Sequence, residues 1–371
     1  MAFGILAALV AALVVYLVAW PVPIAPRRWA PGCDPGYAGA FAQNHALAGL
    51  SRIDLDGRVG PEHLALGPDG RLYTGVAGGE ILRLDPRGGA PEVFANTGGR
   101  VLGLTFDGEG RLWAADAKRG LLRIAPDGQV ETQVDHFQGE PVGLANSVIG
   151  AADGRLYFTD SSRRFGAVRW GSAFEASKRD ILEQSATGRV LMHVPASGET
   201  LMIAVGLSFA NGVALSADER WLYVNETGKY RIWRIPVAAR GLDLSQGATG
   251  GATVFLDNLP GFPDNLMRGL PDASGELRVW CGLVKPRNPA LDKLADKPFL
   301  RKVALRLPDF LQPIPRDYSH VFAFNDRGEI VASLQDPSGA YPETTSALEH
   351  GDRLYVASLK AEWLGWTKRP A

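Results

Sequence analysis

Cysteine is almost absent from this chain: Cys33 and Cys281 are its only two in 371 residues. Two distant thiols cannot make a disulfide framework, and they lack the spacing of a thiolate metal site. Whether they pair with each other is left open by the sequence. Histidine is scarce too, with six residues and no cluster, so zinc is not expected. Charge of one sign is missing: 39 basic against 40 acidic residues give a net charge of −1, which excludes an electrostatic footprint for nucleic acid. Long apolar runs are missing as well, with one exception. Residues 3–20 (FGILAALVAALVVYLVAW) carry no charge and are long enough to span a bilayer.

That run lacks the basic leading segment and small-residue cleavage site of a signal peptide. It therefore predicts an uncleaved single-pass anchor over residues 1–22, in contact with membrane lipid, with Trp20 where an interfacial aromatic belongs. The first charged residues, Arg27 and Arg28, are too few to fix the side of the membrane. Residues 23–48 read as a stalk and connecting arm, proline-rich and stiff over 21–31.

What is plentiful is glycine, with 44 residues, and proline, with 25, as in a turn-rich all-β protein. One phrase returns six times: GPDGRLYTG (67–75), DGEGRLWAAD (107–116), AADGRLYFTD (151–160), SADERWLYVNE (216–226), DASGELRVWCG (272–282) and LEHGDRLYVAS (348–358). Each copy is a tight turn feeding an alternating strand, and several are followed by a second hairpin, as in EILRLDPRG (80–88) and GLLRIAPDG (120–128). Repeated turn and strand at this period predicts a six-bladed β-propeller over residues 49–371, all-β and one domain despite its length. The strand in GLSRIDLDGRVG (49–60) has no partner before it. Pairing with the last strands, near 353–368, would close the ring and remove two sheet edges. The recurring aromatics Tyr73, Trp113, Tyr157, Tyr223, Trp280 and Tyr355 read as packing between blades, and His63 likewise.

Two stretches interrupt the repeats, at 161–190 and 285–315. In the second, Leu291, Leu294, Ala295, Phe299 and Leu300 have partial helical spacing with basic residues between them. This predicts a helix across one face of the propeller, with a basic side that is solvated or touches lipid headgroups.

Just ahead of each repeat phrase runs the strand expected to line the central channel. Its start repeatedly carries an oxygen ligand: Glu62 in GPEHLALG, Asn146 in PVGLANSVIG, Asn211 in SFANGVALS, and Asp264 with Asn265 in GFPDNLMRG. Ca²⁺ takes six to eight such oxygens. Two carboxylates and three amides in one register are therefore expected to hold one Ca²⁺. Singly, each residue would read as a turn former.

The phrases GPEHLALGPDGRLYTG, NSVIGAADGRLYFTDSS, SFANGVALSADERWLYVNET and GFPDNLMRG resemble the strictosidine synthase-like family, which includes the adipocyte plasma membrane-associated proteins. That family is related to the gluconolactonases of the SMP-30 type and to the paraoxonases, calcium-dependent six-bladed propellers. The resemblance implies that Glu62, Asn211 and Asp264 are metal ligands, that Asn146 and Asn265 belong to the calcium region, and that Asp264 is a catalytic base. It also shows departures. Leu102 stands where paraoxonases place a catalytic histidine, and Ser346, with Glu343 and Glu349 nearby, stands at the catalytic glutamate of the synthases. A cation in the channel would polarise the carbonyl of a lactone or ester substrate. The expectation is thus a membrane-anchored, Ca²⁺-dependent hydrolase. The alternatives are a synthase joining an amine to an aldehyde, or a non-catalytic propeller with structural calcium.

Overall fold

The computed structural model describes residues 2–271, 275–312 and 314–370. Residues 272–274 of the fifth repeat phrase lie outside the described residues, as does Pro313 in the second insertion.

Six antiparallel sheets carry the chain in sequence order, each built around four strands. Their first, innermost strands are Leu64–Leu66, Val101–Phe106, Ala145–Gly150, Ala210–Leu215, Gly261–Arg268 and Thr344–His350. These six neighbour one another in turn, and the last packs against the first, so they line one axis. Ring closure uses the earliest strand. Ser51–Asp54 pairs antiparallel with the final strand Trp363–Lys368, Ser51 opposite Trp366 and Asp54 opposite Trp363. The third blade gains a fifth, parallel strand, Leu242–Asp243, against Ala204 and Val205.

The repeat phrase is a turn with a mechanism. In the first three copies an aspartate accepts a hydrogen bond from the amide of the arginine that follows: Asp69 from Arg71 (3.1 Å), Asp107 from Arg111 (3.0 Å) and Asp153 from Arg155 (3.1 Å). The intervening Gly70, Gly110 and Gly154 sit at φ of +73°, +75° and +85°, where a side chain would be strained. The aromatic two residues past each arginine is buried, and all six recurring aromatics lie in the hydrophobic clusters within and between blades. Polar tips are satisfied locally: Tyr73 donates to Asp69 (3.0 Å) and Trp113 to Asp107 (2.8 Å).

Among the described residues five α-helices accompany the propeller. α1 (Ala2–Ala19) buries none of its residues and is long and apolar enough to cross a membrane. α2 (Ala167–Trp170) and α3 (Ala173–Glu183) form the first insertion. α4 (Pro289–Lys293) and α5 (Pro298–Arg306) form the second. Each insertion joins the second and third strands of its blade, so it emerges at the end where the innermost strands begin.

The one helix expected in the second insertion is two. Pro298 opens a new helix, because its ring cannot continue α4. Phe299 and Leu300 then face outward, while Arg301 is fully buried. Arg301 donates to the carbonyls of Leu182 (2.9 Å), Ala295 (3.1 Å) and Arg27, tying α3, the link between α4 and α5, and the stalk together. The stalk itself is no free spacer. The amide of Arg27 donates to Glu183 O and that of Trp29 to Ala295 O. Cys33 is exposed and Cys281 buried, and both are free thiols.

Candidate functional site

Glu62 lies just ahead of the first innermost strand, Asn146 and Asn211 near the starts of the third and fourth, and Asp264 and Asn265 midway along the fifth, and all five are buried. Their spacing around the axis depends on close strand approach. A Cβ on Gly103 would meet Asn146 O at 2.7 Å, and one on Gly212 would meet Asp264 O at 2.6 Å, so only glycine lets these blades pack this tightly.

A continuous set of contacts runs through them. Asn211 Nδ2 donates to Asp264 Oδ1 at 2.7 Å. Asn265 Nδ2 reaches the carbonyl of Glu62 at 3.4 Å, and Thr345 Oγ1 donates to that same carbonyl. Asn146 joins less directly. Its Nδ2 donates to Ser161 Oγ (2.9 Å), which donates to Ala210 O (2.6 Å), the residue before Asn211. The structure thus links Glu62, Asn265, Asp264 and Asn211 closely, and Asn146 through one serine.

Each amide spends its nitrogen on the protein and leaves its oxygen unused. Asn146 Oδ1, Asn211 Oδ1 and Asn265 Oδ1 are buried without a hydrogen-bond partner. Three orphaned carbonyl oxygens beside two carboxylates are what a hard cation requires and what a folded protein otherwise avoids. Among the described residues no group of three or more His, Cys, Asp or Glu could hold a metal. The residues present fit an oxygen-ligated divalent ion.

The electrostatics agree with that fit. Burial pushes the Glu62 carboxyl well above its usual range; Arg100 pulls it back and Asp264 pushes it further up. Asp264 is pushed up to about 7, by burial above all, against its hydrogen bond from Asn211, with Glu343 adding to the rise and Arg100 opposing it. Both carboxylates therefore stand in a place that disfavours their charge.

Several neighbours complete the surroundings, of which Arg100, Asn225 and Asp180 escaped the sequence reading. Arg100 pairs with Glu62 (3.0 Å) and also donates to Gly60 O (3.2 Å). Asn225 donates to Asp264 O at 2.6 Å and fixes that turn. Glu343 is buried at φ +51° and held by Lys285 (3.1 Å) and Lys360 (2.7 Å). From α3, Asp180 is fully buried and neither oxygen makes a well-formed hydrogen bond. Burial pushes it up to about 7, with Ser162 opposing and Glu183 and Glu226 adding to the rise. A single arginine among many, or a lone acid in an insertion, carries no sequence signal; a repeat register does.

Other expectations sort clearly. His63 is neutral between blades one and two: burial lowers it to about 4, and its Nδ1 faces the amide of Leu104 at 3.3 Å. Ser346 is fully buried and its hydroxyl meets Met267 Sδ at 2.9 Å. Glu349 accepts from Trp280 Nε1 at 2.8 Å, away from the mouth. Leu102 joins Leu144, Phe209, Phe165, Ala176 and the stalk residue Ile24 in one apolar cluster. That cluster roofs the channel above the polar set.

Comparison with known proteins agrees with this architecture. Residues 39–84 match the strictosidine synthase-like N-terminal family model, and residues 68–284 the SMP-30/gluconolactonase/LRE-like region. An adipocyte plasma membrane-associated protein of Salmo salar is 34% identical, over 92% of this chain and 83% of its own length. In fold the chain resembles a gluconolactonase from Xanthomonas campestris (TM-score 0.60, 19% identity, covering 93% of this chain and 98% of that one). It also resembles a calcium-binding protein, regucalcin, from Agrobacterium tumefaciens (TM-score 0.55, 17% identity, covering 85% and 93%). By these matches the chain belongs to the strictosidine synthase-like family of six-bladed propellers, alongside the adipocyte plasma membrane-associated proteins.

Proposed function

We propose that this chain is a membrane-anchored, Ca²⁺-dependent hydrolase of a lactone or ester. The observation that carries the reading is the trio of buried, unpartnered amide oxygens of Asn146, Asn211 and Asn265 beside Glu62 and Asp264. Those five side chains would hold the ion, which when bound supplies Lewis-acid polarisation of the substrate carbonyl.

The remaining work belongs to the chain's own groups. Asp264 is the carboxylate placed to take the proton of an attacking water, its basicity set by burial, which raises it, against a bound cation, which would lower it. Asn211 orients it through the 2.7 Å hydrogen bond, and Asn225 fixes its backbone. Arg100 holds Glu62 and adds positive charge to the site. The roof of Leu102, Leu144, Phe209 and Ile24 limits water to what the chemistry needs. The gluconolactonase and regucalcin among the structural neighbours support a lactonase-type or calcium-binding propeller, and the apolar α1 together with plasma membrane-associated relatives supports the anchor. A synthase reading has less support, since the hydroxyl of Ser346 is buried against Met267 rather than replaced by an acid.

The test is hydrolysis of phenyl acetate and a lactone panel by the purified full chain, with Ca²⁺ and after chelation. Ca²⁺-dependent turnover, lost in Glu62→Gln and Asp264→Asn, is expected. Activity indifferent to chelation and to both substitutions, or no hydrolysis of any ester or lactone with Ca²⁺ bound, refutes it.

A further inference from the structure

The exposed apolar side chains outside α1 are not evenly spread. Val168 in α2, Phe174 in α3, Phe299 in α5, and Phe310, Leu311 and Ile314 just beyond it are all exposed, Phe310 at 84%. The others on the propeller body, Leu66, Val93, Leu270 and Val331, stand singly on other blades. Scattered apolar residues need no explanation, whereas a cluster on two insertions at one end of a ring does.

That end is also where α1 leaves. Arg306, the last residue of α5, donates to Leu17 O (2.7 Å) and Trp20 O (2.7 Å), satisfying carbonyls at the C-terminus of α1. Tyr16 of α1 donates back to Arg306 O at 3.2 Å. The end of α1, where the anchor would meet the headgroups, is therefore bolted to α5. Phe310 and Leu311 follow within five residues of Arg306. Short chain length and direct hydrogen bonds leave this apolar segment no position far from the bilayer surface.

We infer that the insertion-covered end of the propeller docks on the bilayer that carries α1. Phe174 and Phe310 enter the interface, and the channel mouth faces lipid. The occupant is a lipid surface because the patch is continuous with the end of a membrane-length helix. Interfacial residues of this kind lie about 5–10 Å into the boundary between headgroups and acyl chains. The inference rests on the anchoring part of the proposed function, and the experiment separates the two.

Full-length protein carrying Cys33→Ser is reconstituted in phosphatidylcholine vesicles, leaving Cys281 buried. Single cysteines are introduced by Phe310→Cys, Phe174→Cys, Leu9→Cys and Val93→Cys and labelled with an environment-sensitive fluorophore. A nitroxide lipid and aqueous iodide serve as opposed quenchers, and near-UV circular dichroism checks each fold. The labels at 310 and 174 should emit to the blue of that at 93, lose intensity to the nitroxide lipid and resist iodide. If the label at 9 is in lipid while those at 310 and 174 behave like that at 93, docking is refuted and anchoring stands. If the label at 9 is also in water, the anchor falls and docking falls with it.

Discussion

Calcium should stabilise this protein strongly, and the structure sets the size of the effect. Three buried amide oxygens, on Asn146, Asn211 and Asn265, have no partner. Each unsatisfied group costs about 1–3 kcal/mol, so the three together cost roughly 3–9 kcal/mol that an ion can recover. Mass action limits what is observed: about 4 kcal/mol when the free ion is a thousandfold above its dissociation constant. Domains of 150–250 residues gain about 2–4 °C per kcal/mol and larger ones less, so the melting temperature should rise roughly 5–10 °C between chelator and saturating Ca²⁺. Differential scanning fluorimetry over a Ca²⁺ series reads this directly. Mg²⁺ should do little, because it keeps its waters and demands a tighter octahedron. Asn265→Leu gives the sharpest signature. It removes one orphaned oxygen and one weak 3.4 Å hydrogen bond, so the chelated protein should melt no lower than wild type while the Ca²⁺ shift shrinks. Identical melting in Ca²⁺ and chelator at every concentration would refute the reasoning.

Arg100→Leu removes the cation paired with Glu62 and should tighten Ca²⁺ binding by about tenfold or more, read as a lower midpoint in the same titration. Asp180 has a folded-state pKa raised from 3.8 to about 7, so its contribution favours the fold below pH 4 and is lost as pH rises through 7. That move corresponds to about 4 kcal/mol; Asp180→Asn should therefore stabilise the protein at pH 8 and matter little at pH 4, checked by urea denaturation at both values. Arg301→Leu removes three hydrogen bonds to carbonyls, of which Ala295 O alone keeps a stated second donor in Trp29, and should cost about 3–5 kcal/mol, read as a lowered melting temperature.

The parts of this molecule that repeat were readable, and the parts that occur once were not. The six turn phrases announced the blades because each Asp/Gly turn is a local hydrogen-bonded unit, complete within a few residues. The unpartnered strand at Ser51–Asp54 pointed to closure for a similar reason: a strand needs a neighbour, and the only spare edge was at the other end of the chain. Glu62, Asn146, Asn211, Asp264 and Asn265 were singled out by their common register, and the structure buries all five at one end of the ring. Arg100, Asn225 and Asp180 have no register to betray them; their roles come from contacts between blades, or between an insertion and the ring. The second insertion misled because its apolar spacing ignored Pro298, and because a fully buried arginine defies the ordinary sorting of charge to the surface. The stalk misled likewise. Proline-rich sequence suggested a spacer, but Ile24 is part of the roof and Arg27 hydrogen-bonds to α3.

The seam between Ser51–Asp54 and Trp363–Lys368 has a temporal meaning. During synthesis the earlier strand emerges some three hundred residues before the partner it needs, so five blades can assemble while the sixth still lacks an edge. Until the last residues arrive, an unpaired ribbon is open to wrong partners, and such non-local pairing is the slow step of β architectures. Loss of even the terminal dozen residues would leave the seam unzipped, and nascent chains stalled there should be the form that quality control recognises.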